Sequence, residues 1–159
     1  MNIFFFDKDP VKCAEQLCDK HVVKMTTETV QIISTAYFIL SGQRGVYKPT
    51  HKHHPCVIWA TKSEDNFNWL LSYAVSLGGQ YTKRYSRQHL AITKLSEWIP
   101  QIPINSLKFS ELAWSNPPQC MPEQYKQPDT IQAYRNYYTG EKLRFAFWDY
   151  SNKPTWVNK

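Results

Sequence analysis

Residues 9–40 read DPVKCAEQLCDKHVVKMTTETVQIISTAYFIL. Asp9 followed by Pro10 is a typical helix start, because aspartate accepts hydrogen bonds from free backbone amides and proline fits the first helical position. Apolar residues then recur with an approximately helical period, at positions 14, 17, 18, 22, 25, 32, 33 and 36. Gly42 supplies an expected end. We predict one long helix from Pro10 to about Leu40.

Shorter elements surround this helix. Residues 2–6 are apolar and predict a β-strand or an extended segment. A second helix is predicted over residues 63–88 and a third over residues 89–98. A fourth, over residues 129–138, begins with a capping aspartate and ends before a glycine. The predicted fold class is mainly α: a compact helical fold with a short N-terminal extended segment and long ordered loops.

Two segments lack helical periodicity. Residues 41–56 contain glycine, proline and a basic run, and predict a loop. Residues 100–128 are rich in proline but also carry large apolar side chains, so they predict an ordered loop that wraps the surface and not a linker. The aromatic tail over residues 145–156 is expected to pack back onto the body. We therefore expect a single domain over residues 1–159.

The composition indicates a globular chain with a polyanionic partner. Of its 159 residues, 42% are hydrophobic and 20% are charged, which excludes a typical disordered chain. The net charge of +6 favours nucleic acid, because lysine and arginine attract phosphates independently of base sequence. The aromatic share of 15% exceeds what a core of this size needs, so some rings are expected to be surface stacking platforms.

Targeting signals and membrane spans are not expected. The apolar run near the start lacks a basic region before it, and nothing approaches the roughly 20 apolar residues of a membrane span. We expect a cytoplasmic protein. In that compartment the four cysteines are expected to be reduced thiols: Cys13, Cys18, Cys56 and Cys120.

A polar pair lies on the apolar stripe of the first predicted helix. Spacings of 3, 4, 3 and 4 place these residues on one face: Cys18, His21, Met25, Glu28 and Ile32. His21 and Glu28 therefore point inward or into a cleft, where a carboxylate acquires a shifted pKa suited to acid–base work. The alternative is a structural cluster, in which Glu28 pairs with Lys24.

The same residues carry a family resemblance. The segment LCDKH at residues 17–21, followed by Glu28, resembles the first-helix motif of the phage pyrimidine-dimer DNA glycosylases, which are bifunctional glycosylase/abasic lyases. The ending PTW at residues 154–156 is similar to that family's ending, and Pro55 precedes an apolar run and a second helix in both.

The resemblance implies a mechanism. In that family the N-terminal α-amine, exposed on removal of the initiator methionine, attacks the sugar carbon to form a Schiff base, and the helix glutamate assists. An α-amine ordinarily titrates near pH 8, so a useful fraction is neutral at pH 7. The resemblance thus implies five catalytic residues, with Asn2 supplying the amine and the others lying on the helix: Glu28, Asn2, His21, Asp19 and Lys24. No metal or organic cofactor is expected.

Three positions depart from the family pattern. Asn2 replaces a small hydroxyl residue, and its bulk hinders methionine removal, so the free amine would then belong to Met1. Thr27 and Gln31 replace two arginines that help to grip the damaged duplex. A different damaged or modified base is therefore an open alternative for the substrate.

Basic residues elsewhere are candidates for phosphate contact, in one loop and at the end of the second predicted helix: His51, Lys52, His53, His54, Lys83, Arg84 and Arg87. The alternative is that they are simply solvated. The expected partner is double-stranded DNA, with no membrane association, and the expected state is a monomer.

Two other functions stay open. One is a non-catalytic nucleic-acid-binding protein that keeps the fold. The other is a zinc-containing protein built on Cys18, His21, His54 and Cys56, which are suitable ligand types. The spacing lacks a second paired-ligand motif, so we predict no metal.

Overall fold

The computed structural model describes residues 1–158, which contain helices and loops and no β-strand. The mainly α prediction is confirmed. Six α-helices are present: α1 (Pro10–Glu15), α2 (Asp19–Ser41), α3 (Pro55–Ala60), α4 (Glu64–Tyr85), α5 (Leu90–Trp98) and α6 (Thr130–Glu141). Five 3₁₀ turns lie between and after them: Ile99–Gln101, Ile104–Ser106, Glu123–Tyr125, Leu143–Phe145 and Thr155–Asn158.

The single long helix predicted from Pro10 is wrong, because the chain breaks between α1 and α2. Asp9 caps α1 as expected, through its side chain and the amide of Val11. Cys18 is then extended, with φ −66° and ψ 160°, and α2 begins after it. The freed backbone groups find distant partners: the Cys18 amide donates to the Tyr138 hydroxyl (3.3 Å) and Arg84 donates to the Leu17 carbonyl (2.8 Å). These contacts stabilise the break.

Other boundaries also differ from the predictions. Helix α3 begins inside the predicted loop, where His54 Nδ1 accepts from the Cys56 amide. Helix α4 ends at Tyr85, because Ser86 adopts a left-handed conformation with φ +54°. Helix α6 continues past Gly140. A Cβ at Gly140 would lie 2.3 Å from the Tyr125 hydroxyl, so this glycine allows a close contact and does not end the helix.

The N-terminal segment, residues 2–6, forms neither a helix nor a strand, and its residues 3–6 are buried in the core. Ile3, Phe5 and Phe6 are fully buried, in a cluster that includes α2 and α4 side chains. Phe4 stacks on His21 with ring centroids 4.8 Å apart. Burial of four large side chains fixes this segment, and it therefore fixes where the first residue emerges beside α2.

The long loop and the tail are ordered by specific hydrogen bonds. The Trp59 indole donates to the Ser115 carbonyl (2.8 Å), which holds the proline-rich loop to α3. The Trp148 indole donates to the Gln16 carbonyl, and the Trp156 indole donates to the Gln16 side chain. The predicted surface loop and returning tail are therefore confirmed.

Helices α1 and α2 both pack against α4, and the buried cluster takes in residues from Ile3 to Ala146. That residues 1–159 form one domain stays a prediction, and its last residue lies outside the described part. Within residues 1–158, no helix combines the length and the apolar character needed to cross a membrane.

Candidate active site

The amine of Met1 lies beside the carboxylate of Glu28. The Met1 nitrogen is 3.7 Å from Glu28 Oε2, and Lys24 Nζ is 3.5 Å from Glu28 Oε1. The Glu28 side chain is 18% exposed, whereas Lys24 is 64% exposed. The Lys24–Glu28 pair of the structural alternative is thus present, but the carboxylate also faces the primary amine of Met1, whose side chain is 5% exposed.

These groups line a pocket of about 330 Å³ between the N-terminal segment, α2 and the region after α6. We name it the amine pocket, and its principal residues are Met1, Phe4, His21, Lys24, Glu28 and Lys142. Its volume lies in the range of small-ligand sites, about 300–1,000 Å³. Its lining carries one carboxylate, three cationic groups and aromatic rings, so it suits an anionic ligand with a ring.

Asn2 anchors the segment that carries the amine. Its Nδ2 donates to the Cys120 carbonyl (3.0 Å), and its Oδ1 accepts from the Tyr134 hydroxyl (2.9 Å) and the Ile3 amide (2.8 Å). With three hydrogen bonds the side chain is fully engaged in positioning. Asn2 was predicted to be catalytic through its own α-amine. That amine is free only after removal of Met1.

His21 forms the inner wall of the amine pocket. Its Nδ1 lies 2.7 Å from the Tyr138 hydroxyl and its ring stacks on Phe4. Burial lowers the pKa of His21 to about 4, and the neighbouring charges of Lys142 and Lys24 act in the same direction. The imidazole is therefore neutral at pH 7, so it positions Phe4 and the N-terminal segment without adding positive charge.

Comparison with known proteins assigns the family. A family model described as pyrimidine dimer DNA glycosylase matches residues 1–93, more than half of the chain. The chain belongs to this family. Membership supports a pyrimidine-dimer DNA glycosylase-like function in DNA repair, with DNA as the bound substrate. Searches of curated proteins and of solved structures gave no significant match.

The segment that matches the family model contains the glycosylase motif residues but not all residues of the amine pocket. Met1, His21 and Glu28 lie within it, whereas Lys142 and Phe145 lie beyond it. Sequence reasoning missed Lys142 and Phe145, because they follow α6 and reach the pocket only through tertiary packing. A basic and aromatic pair just after a helix was the only available signal.

Asp19 of this glycosylase-family chain is not in the amine pocket. Its Oδ1 accepts from Arg84 (3.0 Å), and its Oδ2 accepts from the backbone amides of Asp149 (2.7 Å) and Tyr150 (3.3 Å). The carboxylate thus joins the start of α2 to α4 and to the tail. The prediction that Asp19 is catalytic is not supported by this position, because its oxygens are engaged away from the pocket.

Arg84 does not lie on the predicted phosphate-binding surface. Its side chain is fully buried. The guanidinium donates to the carbonyls of Leu17 and Glu15, to the Gln80 side chain and to Asp19. Arg84, one of the residues predicted to form a basic surface patch, is therefore a buried tether between segments. Its planar guanidinium can satisfy several acceptors at once.

The other basic residues of the prediction are distributed differently. His54 caps α3 beside the N-terminus, and burial, followed by the charge of the N-terminal amine, lowers its pKa. Five side chains are exposed: His51, Lys52, His53, Lys83 and Arg87. Among the described residues, the lining of the amine pocket does not include these five. Their contact with DNA stays a prediction.

Cys120 was not a sequence candidate, yet the fold brings it to the site. It contributes to the lining of the amine pocket, and its Sγ lies 3.7 Å from Cys56 Sγ. The hydrogen bond between the two thiols raises the pKa of Cys56 and lowers that of Cys120. Cys120 ionises first in this pair.

The burial of His21 predicts an acid-dependent loss of stability. An unfolded histidine titrates near 6.5, so between about pH 6.5 and pH 4 the unfolded chain binds a proton that the folded chain does not. The free energy of unfolding therefore falls by about 3 kcal/mol over this range on account of His21. Urea unfolding of the native chain and of His21→Asn at several pH values measures the difference.

The exposed His53 provides the matched control. His53→Gln should retain the acid dependence of the native chain, whereas His21→Asn should reduce it by about 3 kcal/mol. Equal pH slopes for the native chain and His21→Asn would contradict the assigned burial of the neutral imidazole.

Proposed function

We propose that the chain excises a damaged base from double-stranded DNA and cleaves the strand at the resulting abasic site. The N-terminal α-amine is the nucleophile and Glu28 is the assisting carboxylate. The observation that carries this proposal is the distance of 3.7 Å between the Met1 nitrogen and Glu28 Oε2. A nucleophile next to a carboxylate base is the arrangement that covalent catalysis requires.

The first step exchanges the base for the amine. The nitrogen lone pair forms a bond to C1′ of the deoxyribose, and the glycosidic bond breaks with its electrons leaving on the base. Glu28 accepts the amine proton and stabilises the positive charge that develops on the sugar. The departing base takes a proton from water. Glu28 then returns its proton to the ring oxygen O4′ as the sugar ring opens, which gives a protonated Schiff base between the chain and C1′ and regenerates the carboxylate.

The second step breaks the strand. Loss of a 2′ proton to a base supplies the electron pair that forms the C2′–C3′ double bond, and the 3′ phosphate leaves. Glu28 is the nearest carboxylate to the amine and is assigned this proton transfer. Water then hydrolyses the Schiff base and regenerates the amine. No metal or organic cofactor takes part in these steps.

The charges around the pocket support an anionic duplex as the ligand. Lys24 and Lys142 line the amine pocket, and Lys20 lies over the Phe145 ring at 5.0 Å. A sugar carbon inside a duplex is inaccessible unless the nucleotide is extruded or the DNA is bent, and exposed aromatic rings stabilise unstacked bases. We propose that these lysines bind the phosphates on either side of the extruded nucleotide.

Lys142 provides a test of this binding surface. Lys142→Gln should weaken binding to DNA of any sequence and lower the slope of log affinity against log salt by about 1. Lys108→Gln, an exposed lysine of the proline-rich loop, is the matched control and should leave the slope unchanged. Equal effects of the two substitutions in a fluorescence anisotropy titration would contradict the assignment.

Borohydride trapping tests the chemistry. The full chain is incubated with duplex DNA that contains either an abasic site or a cyclobutane pyrimidine dimer, and sodium borohydride is added. Reduction of the Schiff base should give a stable adduct of one chain with one duplex. An adduct on abasic DNA alone would support the lyase step and would exclude the pyrimidine dimer as the excised lesion.

DNA binding without an adduct on either substrate would overturn the enzyme proposal in favour of a non-catalytic nucleic-acid-binding protein. Intact mass spectrometry of the same sample establishes whether the N-terminal residue is Met1 or Asn2 and that its amine is unmodified.

A further inference from the structure

A second cluster of reactive side chains lies next to the N-terminal segment. It consists of His54 before α3, Cys56 in its first turn and Cys120 from the proline-rich loop. One ligand atom from each residue lies within 4.8 Å of the other two. Cys56 and Cys120 are 64 residues apart in the sequence, so tertiary folding alone assembles the cluster.

The sulfur spacing matches a metal site better than a disulfide. Two zinc–sulfur bonds of about 2.3 Å at a tetrahedral angle place their sulfurs about 3.8 Å apart. The Cys56 and Cys120 Sγ atoms are 3.7 Å apart. A disulfide requires a separation of about 2.05 Å, which would draw the two backbones together. Binding of a metal therefore needs no movement of the sulfurs relative to each other, whereas the imidazole, whose ligand atom lies within 4.8 Å of them, moves closer to the ion.

The surrounding structure holds the three ligands on fixed backbone. The Cys120 amide donates to the Tyr134 hydroxyl (3.2 Å), and the Cys120 carbonyl accepts from Asn2. The His54 amide donates to the His51 carbonyl (2.8 Å) and its ring caps α3. Ligands that are positioned before binding lose little conformational entropy when the ion enters.

An ion can reach the cluster from solvent. His54 and Cys120 line an open cleft of about 900 Å³, on whose wall Pro118 and Thr130 also lie. Cys56 is fully buried and closes the inner side. The cluster therefore has an entry path on one side and a protein wall on the other, which a functional metal site requires.

We propose that His54, Cys56 and Cys120 bind one Zn²⁺ ion, with the fourth position open to the cleft and occupied by water. Two thiolates and one imidazole form a typical zinc ligand set. Binding releases the two thiol protons, so two negative sulfurs neutralise the ion. The ligand set considered from the sequence differs: Cys18 and His21 do not belong to the cluster, because His21 pairs with Tyr138 and Cys18 precedes α2.

Metal titration of the reduced, chelator-treated full chain tests the proposal. One equivalent of Zn²⁺ should bind and raise the melting temperature. One equivalent of Co²⁺ should give sulfur-to-cobalt charge-transfer absorption and tetrahedral d–d bands, which report thiolate ligation without any activity assay. Cys56→Ser and Cys120→Ser should each weaken Zn²⁺ binding at least about 100-fold, and His54→Gln about 10-fold or more.

Two matched substitutions control for nonspecific effects. Cys18→Ser removes a thiol outside the cluster at a position where serine is a favoured helix cap. His53→Gln removes the exposed imidazole next to His54. Both variants should keep one Zn²⁺ per chain and the cobalt spectrum of the native chain.

Three results would overturn the proposal. The first is less than one Zn²⁺ per chain. The second is a cobalt spectrum without charge-transfer bands, or one that survives Cys56→Ser and Cys120→Ser. The third is rapid air oxidation that removes both thiols as a disulfide while the reduced chain takes up no metal. Circular dichroism of each variant confirms that it is folded, so that loss of binding is not loss of structure.

Discussion

Glu28→Gln should lower the single-turnover rate of base excision and strand cleavage by about 10²–10⁴-fold. Glutamine keeps the shape of the side chain but neither accepts a proton from the amine nor stabilises a positive charge on the sugar. Binding of DNA should survive or strengthen, because a negative charge is removed from a pocket that receives phosphates. Rapid-quench kinetics on an abasic duplex and an anisotropy titration measure the two effects separately.

Glu97→Gln is the control for this substitution. Glu97 is an exposed carboxylate on α5, and its neutralisation should change neither the rate nor the affinity beyond experimental error. Retention of the native rate in Glu28→Gln would contradict the role of this carboxylate. Loss of binding together with loss of rate would indicate that Glu28 has a structural role through its pair with Lys24.

Arg84→Met should lower the free energy of unfolding by about 3–5 kcal/mol. The substitution leaves the buried Asp19 carboxylate without its cation and leaves the carbonyls of Leu17 and Glu15 without a donor. An uncompensated buried charge is costly, so the loss exceeds that from an ordinary surface ion pair. Urea unfolding monitored by tryptophan fluorescence gives the value.

Lys83→Met separates this role from DNA binding. Lys83 is the exposed neighbour of Arg84 on α4 and its loss should cost under about 0.5 kcal/mol of stability. If the basic end of α4 contacts phosphates, Lys83→Met lowers the salt slope of DNA binding whereas Arg84→Met leaves it unchanged. A nearly native stability of Arg84→Met would contradict the buried tether.

The helical fold and the polar stripe on α2 could be predicted from local sequence patterns. The spacing of His21 and Glu28 places them on one face whatever the rest of the chain does, because helix geometry is set by neighbours within a few residues. The break before α2 depends instead on Tyr138 and Arg84, which meet residues 17 and 18 only after folding. No local signal in the sequence marks such a break.

The candidate site also contains residues that the sequence predicts and residues that only the fold brings together. Glu28 and Lys24 could be predicted from the helical pattern. The role of the amine could be predicted only from the family resemblance. Lys142 and Cys120 come from distant segments with no motif of their own. Arg84 shows the opposite case: a basic run at a helix end predicts a surface patch, and only the fold reveals that one member is a buried tether.

The identity of the nucleophile is tested most directly by locating the trapped adduct. The borohydride-reduced product is digested with protease and nuclease, and tandem mass spectrometry assigns the atom that carries the sugar. We expect the sugar to be attached to the N-terminal α-amine. Its nearest rival is Lys24, whose Nζ lies 3.5 Å from Glu28 Oε1. Attachment at Lys24 or another lysine, with the N-terminal residue unmodified, would show that the α-amine is not the nucleophile.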